Sequence, residues 1–346
     1  MTKVVQSQFE QFHSTIKLDM DDIKKVIEKR DMLIEEIRAY LKKKSEDENK
    51  PLITFSVFNQ GSYPMGTGVE PAYDKHDYDI DAGLIFNVST KDYSSLEIKK
   101  MVHDALQSQF RTVEWKKPCI RVQYHEQGFP KFHVDFAIYS SSDCNSDKKT
   151  YLAKGTPTIS SDQNKWEVSQ PKKLIELLGE KYTDIKEKAQ FKRVIRYFKR
   201  WKDTKFDSVN GKPTGISLTA LAYNGFKPFT KNIFNGQEEI DDLKACWEFA
   251  KYVVAQFSYF SSRITVQLPV PPNNDLFAKM TDDQCKNFKE KVEKLRDVLS
   301  EAYSEADPHE ACKKLNKQFG DDFPIPAKEQ TAQSRGKAIV GTSESA

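Results

Sequence analysis

The sequence predicts an α+β fold of two lobes, a mixed-sheet lobe followed by a helical one. Three observations carry this. Four apolar or alternating runs rich in β-branched and aromatic residues fall within the first 140 positions. From Pro171 onward the apolar spacing becomes helical. Between these regimes lies Ser140 to Gln170, rich in Ser, Asp, Lys, Thr and Gly, which reads as a long surface loop. A chain of 346 residues is long enough for one large domain or two lobes. The expected division is 1–180, 181–326 and a disordered tail, 327–346, that is polar and rich in small residues.

The chain opens with a short helical segment, Val4 to Ile16. A longer helix follows, capped within Asp19 to Asp22. Its apolar stripe is Ile23, Val26, Ile27, Leu33, Ile34, Ile37, Tyr40 and Leu41, with Lys and Glu on the other face. Lys42 to Lys50 reads as a charged connector. Ile53 to Phe58 is the first core strand, and Gly61-Ser62 a turn after it. The segment around Asp79 and Asp81 has strand character. Tyr93 to Phe110 is helical, with Leu96, Ile98, Met101, Val102, Leu106 and Phe110 on its apolar side. Cys119 to Tyr124 and Lys131 to Tyr139 are strands joined through Gly128 and Pro130, a hairpin signal. Helices then follow over Pro171 to Lys181, Asp184 to Lys202, Ser217 to Gly225, Glu238 to Tyr259, Asp282 to Ala306 and His309 to Phe319.

Composition excludes several classes. No apolar run approaches the roughly 20 residues of a membrane-spanning helix, and the N-terminus lacks the apolar core of a signal peptide. Charged residues make up 30% of the chain and the mean hydropathy is −0.68, so a soluble, cytoplasmic protein is expected. The five cysteines are scattered and odd in number, which suits reduced thiols. The net charge of +3 conceals a local excess: Lys192 to Lys205 holds seven Lys or Arg against one acid, Asp203. That helix carries an apolar stripe of Val194, Ile195, Phe198 and Trp201. Its cations lie largely on another side, which by pattern alone is a solvated charged face.

Asp79 and Asp81 are two apart, so on a strand they share one face, with Tyr78 and Ile80 on the other. Two like charges placed side by side repel unless a cation lies between them. Hard oxygen ligands of this kind suit Mg²⁺, with Mn²⁺ as the alternative. The Gly61-Ser62 turn can offer backbone N–H groups and a hydroxyl to phosphate. Asp135, the lone carboxylate of its strand, is the candidate third acid. Gln60 could meet a base or ribose, or could be a plain turn residue. His76, His125 and His133 have no metal-ligand spacing and read as surface or structural. Arg121 and Arg263 are further cations able to bind phosphate, and the sequence does not rank them.

Gly-Ser, seventeen residues to Asp-x-Asp, then a later strand Asp, resembles the polymerase-β-like nucleotidyltransferases. The wording Gln-Gly-Ser-Tyr, Asp-Tyr-Asp-Ile-Asp-Ala-Gly and His-Val-Asp-Phe resembles more closely the bacterial cGAS/DncV-like enzymes, the cyclic-oligonucleotide synthases of CBASS anti-phage systems. Leu-Pro-Val-Pro with Asp-Leu-Phe-Ala-Lys-Met, and Lys-Gln-Phe-Gly-Asp-Asp-Phe-Pro, extend the resemblance over most of the chain.

The resemblance implies a long N-terminal helix bracing both lobes and nucleotides bound in the cleft between them. It implies a ribose hydroxyl attacking an α-phosphate of ATP or GTP, with two Mg²⁺ ions held by Asp79, Asp81 and Asp135. Ser62 would contact the β- or γ-phosphate. Lys199, with Lys202 as the alternative, and Ser217 match the family's triphosphate-binding Lys and Ser. Asn273, Asn274 and Asp275 match its base-recognition segment. The product would be a cyclic di- or trinucleotide that activates a cell-killing effector. In operons that encode a ubiquitin-ligase-like enzyme, the synthase is conjugated through its C-terminus, here Ala346. The other readings are a linear nucleotidyltransferase acting on RNA or a small acceptor, and an inactive nucleotide-binding sensor.

Overall fold

The computed structural model describes every residue except 1–4, 19, 73–77, 127–128, 207–210, 232–235, 238, 259 and 329–346. His76, the hairpin turn at Gly128 and the tail with Ala346 lie outside the described residues.

Five strands form the body of the sheet: β1 (Phe55–Gln60), β2 (Tyr78–Phe86), β3 (Thr112–Trp115), β4 (Ile120–Glu126) and β5 (Phe129–Ser140). Their order is β1-β2-β5-β4-β3. Only β2 and β5 run parallel, and the other neighbours are antiparallel, so the sheet is mixed as the sequence predicts. The period of two decides what each strand buries. Ile80, Ala82, Leu84 and Phe86 of β2, Ile120 and Val122 of β4, and Val134, Phe136 and Ile138 of β5 share one core. Two helices cover that face: α2 (Met20–Glu48) through Leu33, Ile34, Ile37 and Leu41, and α4 (Ser95–Leu106) through Ile98, Val102 and Leu106. The intervening residues, including Asp79, Asp81, Arg121, His133 and Asp135, belong to the opposite face.

Several boundaries differ from the sequence reading. The charged segment 42–48 continues α2 and does not leave the helix. Its Lys and Glu side chains are at home on an exposed helical face and offer no breaker. Helix α4 starts later than Tyr93 because Ser94 and Glu97 form a capping box. It ends at Leu106, leaving Phe110 83% exposed beyond it. Strand β3 is only four residues long, too short for its alternation to register.

The segment 140–170 holds more structure than a surface loop. It contains β6 (Tyr151–Lys154) and β7 (Lys165–Val168), an antiparallel pair. β4 begins at Ile120, opposite Phe136 of β5, and further along β5 the strand β6 pairs with Tyr139 and Ser140. Asn145 ties down the preceding loop, donating to Ser140 Oγ, Ser141 O and Lys149 O. Lys99 of α4 is fully buried and donates to the carbonyls of Lys116, Lys117 and Gly155 at 2.6–3.2 Å. Burial pushes this ammonium down to about 8.

The helical lobe comprises α5 (Pro171–Glu180), α6 (Ile185–Lys205), α7 (Gly215–Gly225), α8 (Asp242–Ala255), α9 (Asp282–Ser304) and α10 (Pro308–Phe319). The first helix of the chain, α1 (Gln6–Ile16), packs into this lobe: Phe9 and Phe12 stand against Tyr197, Phe319 and Phe323. The N-terminal helices therefore touch both lobes, α1 the helical one and α2 the sheet. Tyr197 fixes the junction, its single hydroxyl proton shared between Phe9 O at 2.9 Å and Asp242 Oδ2 at 3.0 Å.

Helix α6 overturns the picture of a solvated charged face. Arg196, Lys199 and Arg200 are buried along with Val194, Ile195, Phe198 and Trp201. A helix packed on several sides between α1, α7, α8 and α10 has little exposed surface to give its cations.

Candidate active site

The site is assembled from the polar face of the sheet and the underside of α6. Strand pairing sets its central row: Gln60 of β1 lies opposite Asp81 of β2, Asp81 opposite Asp135 of β5, and Asp135 opposite Arg121 of β4. In the neighbouring row Asp79 lies opposite His133. The two acids of one strand and the acid of the next are thus brought together by register, which no sequence spacing prescribes.

Each acid has a different surrounding. Asp79 is exposed, with a carboxylate oxygen 3.0 Å from His133 Nε2. Asp135 is buried and receives both arms of the Arg121 fork, Nε to Oδ1 at 2.8 Å and Nη2 to Oδ2 at 2.7 Å. Asp81, between them, faces Gly61. Burial first, then the charges of Asp79 and Asp135, push its carboxyl up to about 8.

Gly61 adopts φ 74° and ψ −153°, and leads directly into the short helix α3 (Ser62–Met65). A β-carbon at this position would stand 1.9 Å from Asp81 Oδ2, so only glycine lets the turn and the carboxylate approach. The chain beyond the turn is held from α6. Arg196 donates to Gly68 O at 3.1 Å and to Gly66 O at 2.5 Å. Lys199 Nζ donates to Thr67 O at 2.8 Å and Thr67 Oγ1 at 3.1 Å. Burial, then Lys202 and Arg196, lower the Lys199 ammonium to about 7.

Two joined compartments open here. One, of about 360 Å³, is lined by Gln60, Gly61, Ser62, Asp79 and Asp81 on the sheet side and by Lys199, Thr214, Ile216 and Thr219 on the helical side. The other, of about 340 Å³, shares Ser62, Asp79, Lys199 and Gly215 and adds Lys202, Asp203 and Lys212. Of the expected site residues, Gln60, Gly61, Ser62, Asp79, Asp81 and Lys199 thus line one cleft, with Asp135 beside Asp81 in the row of Gln60 and Asp81. Ser217 is fully buried within α7 and does not line it; its hydroxyl donates to Thr214 O at 2.8 Å. Asp275 also stands apart. Its Oδ1 accepts from Val266 N at 3.0 Å and Phe277 N at 3.1 Å, fastening its own loop. Asn273 donates to Leu268 O, and Asn274 reaches Glu167 of β7 at 3.3 Å. Arg263 is engaged with Met280 O and Asp282.

The donors could hold a metal ion. Asp79, His133 and Asp135 each place a ligand atom within 4.8 Å of the others. Burial first, and the Asp79 and Asp135 charges second, raise the Asp81 carboxyl, and a cation among the acids would offset the second of these. Of the two readings of His133, surface or structural, the surface one fails: it is buried beside Asp79 and Asp135. Tyr139, also unassigned by the sequence reading, lines the cleft and donates to Gln60 Oε1 at 2.9 Å. Both were within reach of periodicity, because His133, Asp135 and Tyr139 are separated by even numbers of residues on one strand. Arg121 was not, because only the β4–β5 register puts it opposite Asp135.

The chain is similar to known proteins in sequence and in fold. Residues 55–139 match the family described as cyclic GMP-AMP synthase DncV-like, nucleotidyltransferase domain, and residues 188–330 match cyclic GMP-AMP synthase, C-terminal domain. A cyclic GMP-AMP synthase of Escherichia albertii is 27% identical over 220 residues, 61% of this chain. The match spans 44% of that relative's length. Among solved structures, Vibrio cholerae DncV cyclic AMP-GMP synthase superposes with a TM-score of 0.70 at 18% identity, covering 93% of this chain and 98% of that one. Its complex with the linear intermediate 5′ pppA(3′,5′)pG gives 0.71 at 17% identity, covering 95% and 97%.

Proposed function

The chain belongs to the cGAS/DncV-like nucleotidyltransferases, with their two-lobed polymerase-β-like fold, and from that premise we propose that it synthesises a cyclic di- or trinucleotide from ATP and GTP. The observation that carries this reading is the set Asp79, Asp81 and Asp135 on adjacent parallel strands beside the Gly61-Ser62 turn. The linear intermediate seen in the Vibrio relative motivates a two-stage course, one linkage and then ring closure in the same cleft.

In each stage a ribose hydroxyl attacks an α-phosphorus, its proton leaves, and pyrophosphate departs. Asp79, Asp81 and Asp135 would hold two Mg²⁺, or Mn²⁺, whose chemistry when bound is to stabilise charge on the attacking and leaving oxygens. Asp135 is the acid assigned to the attacking hydroxyl and to the removal of its proton. Ser62 and Lys199 bind the triphosphate, and Lys199, anchored on Thr67, holds the turn and the helical lobe in one geometry. Tyr139 orients Gln60 toward the nucleotide. Met65, Leu174 and Ile216 form the apolar part of the wall.

The family context extends the proposal: the product serves anti-phage defence by activating an effector, and where a ubiquitin-ligase-like enzyme is encoded alongside, that enzyme would be a partner. Among the described residues no helix is long and apolar enough to cross a membrane. A linear polymerase would need an open basic and aromatic groove for its acceptor strand. Burial of Arg196 and Arg200 removes two of the α6 cations from that role.

Metal removal tests the chemistry. Pyrophosphate release from ATP and GTP should fall by at least about 10³-fold in EDTA and return with Mg²⁺. Turnover that persists in EDTA would refute the assignment of the acids.

A further inference from the structure

Only two of the three acids face the cleft directly. Asp79 and Asp81 line it, whereas the Asp135 side chain is 11% exposed and sits behind the Arg121 guanidinium, which is 27% exposed. The fork occupies both carboxylate oxygens of Asp135 at 2.7–2.8 Å. Such a bidentate pair is among the stronger charge-assisted contacts. It also fixes a positive charge beside the position a dication would take, and like charges there repel.

A structural role for Arg121 would bury it with its partner, as happens elsewhere in this chain. Arg193 holds Asp242 with the same two-armed geometry, but there the carboxylate is fully buried and also receives Gln190 and Tyr197. The Arg121–Asp135 pair is the more exposed of the two and stands in the row of Gln60 and Asp81. A guanidinium suits phosphate oxygens as well as carboxylate oxygens.

Resting on the nucleotidyltransferase reading, we propose that Arg121 is an exchangeable counterion of Asp135. It competes with the divalent cation for the two Asp135 oxygens. When the cation takes them, the guanidinium moves to a phosphate of the incoming nucleotide. Arg121 thereby couples metal loading at Asp135 to nucleotide binding. It is a positioning residue for the metal and a binding residue for substrate phosphate.

Mn²⁺ titration of the full chain without nucleotide, followed by electron paramagnetic resonance, tests this without relying on turnover. Arg121→Lys keeps the charge and loses the fork. Arg121→Gln loses both and serves as a second variant, with thermal unfolding as the check on folding. Both variants should bind Mn²⁺ at least about fivefold more tightly than wild type. The gain should vanish when Asp135→Asn is added. A nonhydrolysable ATP analogue should tighten Mn²⁺ binding less in Arg121→Gln than in wild type. Equal Mn²⁺ affinity in wild type and Arg121→Lys, or a gain that survives Asp135→Asn, would overturn the proposal while leaving the enzyme reading intact. Absence of Mn²⁺ binding in every variant, with and without the analogue, would overturn that reading and this proposal with it.

Discussion

Replacing Asp79 and Asp81 together by asparagine lowers nucleotide turnover by at least about 10³-fold and leaves the fold in place. The loss is large because asparagine keeps the shape of each side chain and removes the charge that holds a dication. The stability outcome has a sign of its own. In the folded chain the Asp81 carboxyl titrates near 8, against 3.8 when unperturbed. Between those values the folded state binds more protons than the unfolded state, so this group makes stability fall as pH rises through the window. Asparagine removes that slope. In EDTA, the melting temperature of the double variant should therefore gain on wild type as pH is raised from about 4 to about 8. Circular dichroism melts at three pH values and a pyrophosphate assay read both effects. Unchanged turnover would remove the metal assignment.

The second large effect comes from a single methyl group. Gly61→Ala places a β-carbon 1.9 Å from Asp81 Oδ2, in a backbone conformation that L-residues rarely adopt. Either the turn or the carboxylate must move. We expect a cost of about 1–3 kcal/mol in stability and a loss of about 10²-fold in kcat/KM, because displacement of catalytic groups by about 1 Å has that consequence. Gly66→Ala is the contrast. Gly66 also has positive φ, but the nearest obstacle to its β-carbon is the flexible end of Lys192, at 3.0 Å. It should lose stability to a similar degree and keep most of its activity. Urea unfolding with steady-state kinetics separates the two, and equal activity in both variants would show that the Gly61–Asp81 approach is not needed.

Much of this architecture was legible because it depends on period. Alternation in β2 and β5 named the polar face, and the stripe, over its residues from Val26 to Leu41, named the face of α2 that covers the sheet. What was not legible depends on contacts distant in sequence. The basic run of α6 looks solvated because its pattern contains no record of α1, α7 and α10 packing around it. Arg196 and Lys199 lie inside because the carbonyls of Gly66, Thr67 and Gly68 receive them, more than a hundred residues away. The β6–β7 hairpin escaped notice because four-residue strands among Ser, Thr and Gly carry too little alternation. Ser217 was expected at the triphosphate, yet in the fold its hydroxyl satisfies the turn before α7. Asp275 was expected at the base, yet it fastens the 266–277 loop.

The central claim is ring formation, and the mass of the product tests it most directly. The chain would be incubated with all four ribonucleotides and Mg²⁺, treated with phosphatase, and the products resolved by mass spectrometry. Ring formation yields a phosphatase-resistant species containing adenosine and guanosine, with one water lost per linkage and no free phosphate end. A ladder of phosphatase-sensitive linear oligomers, with no resistant species, would contradict it.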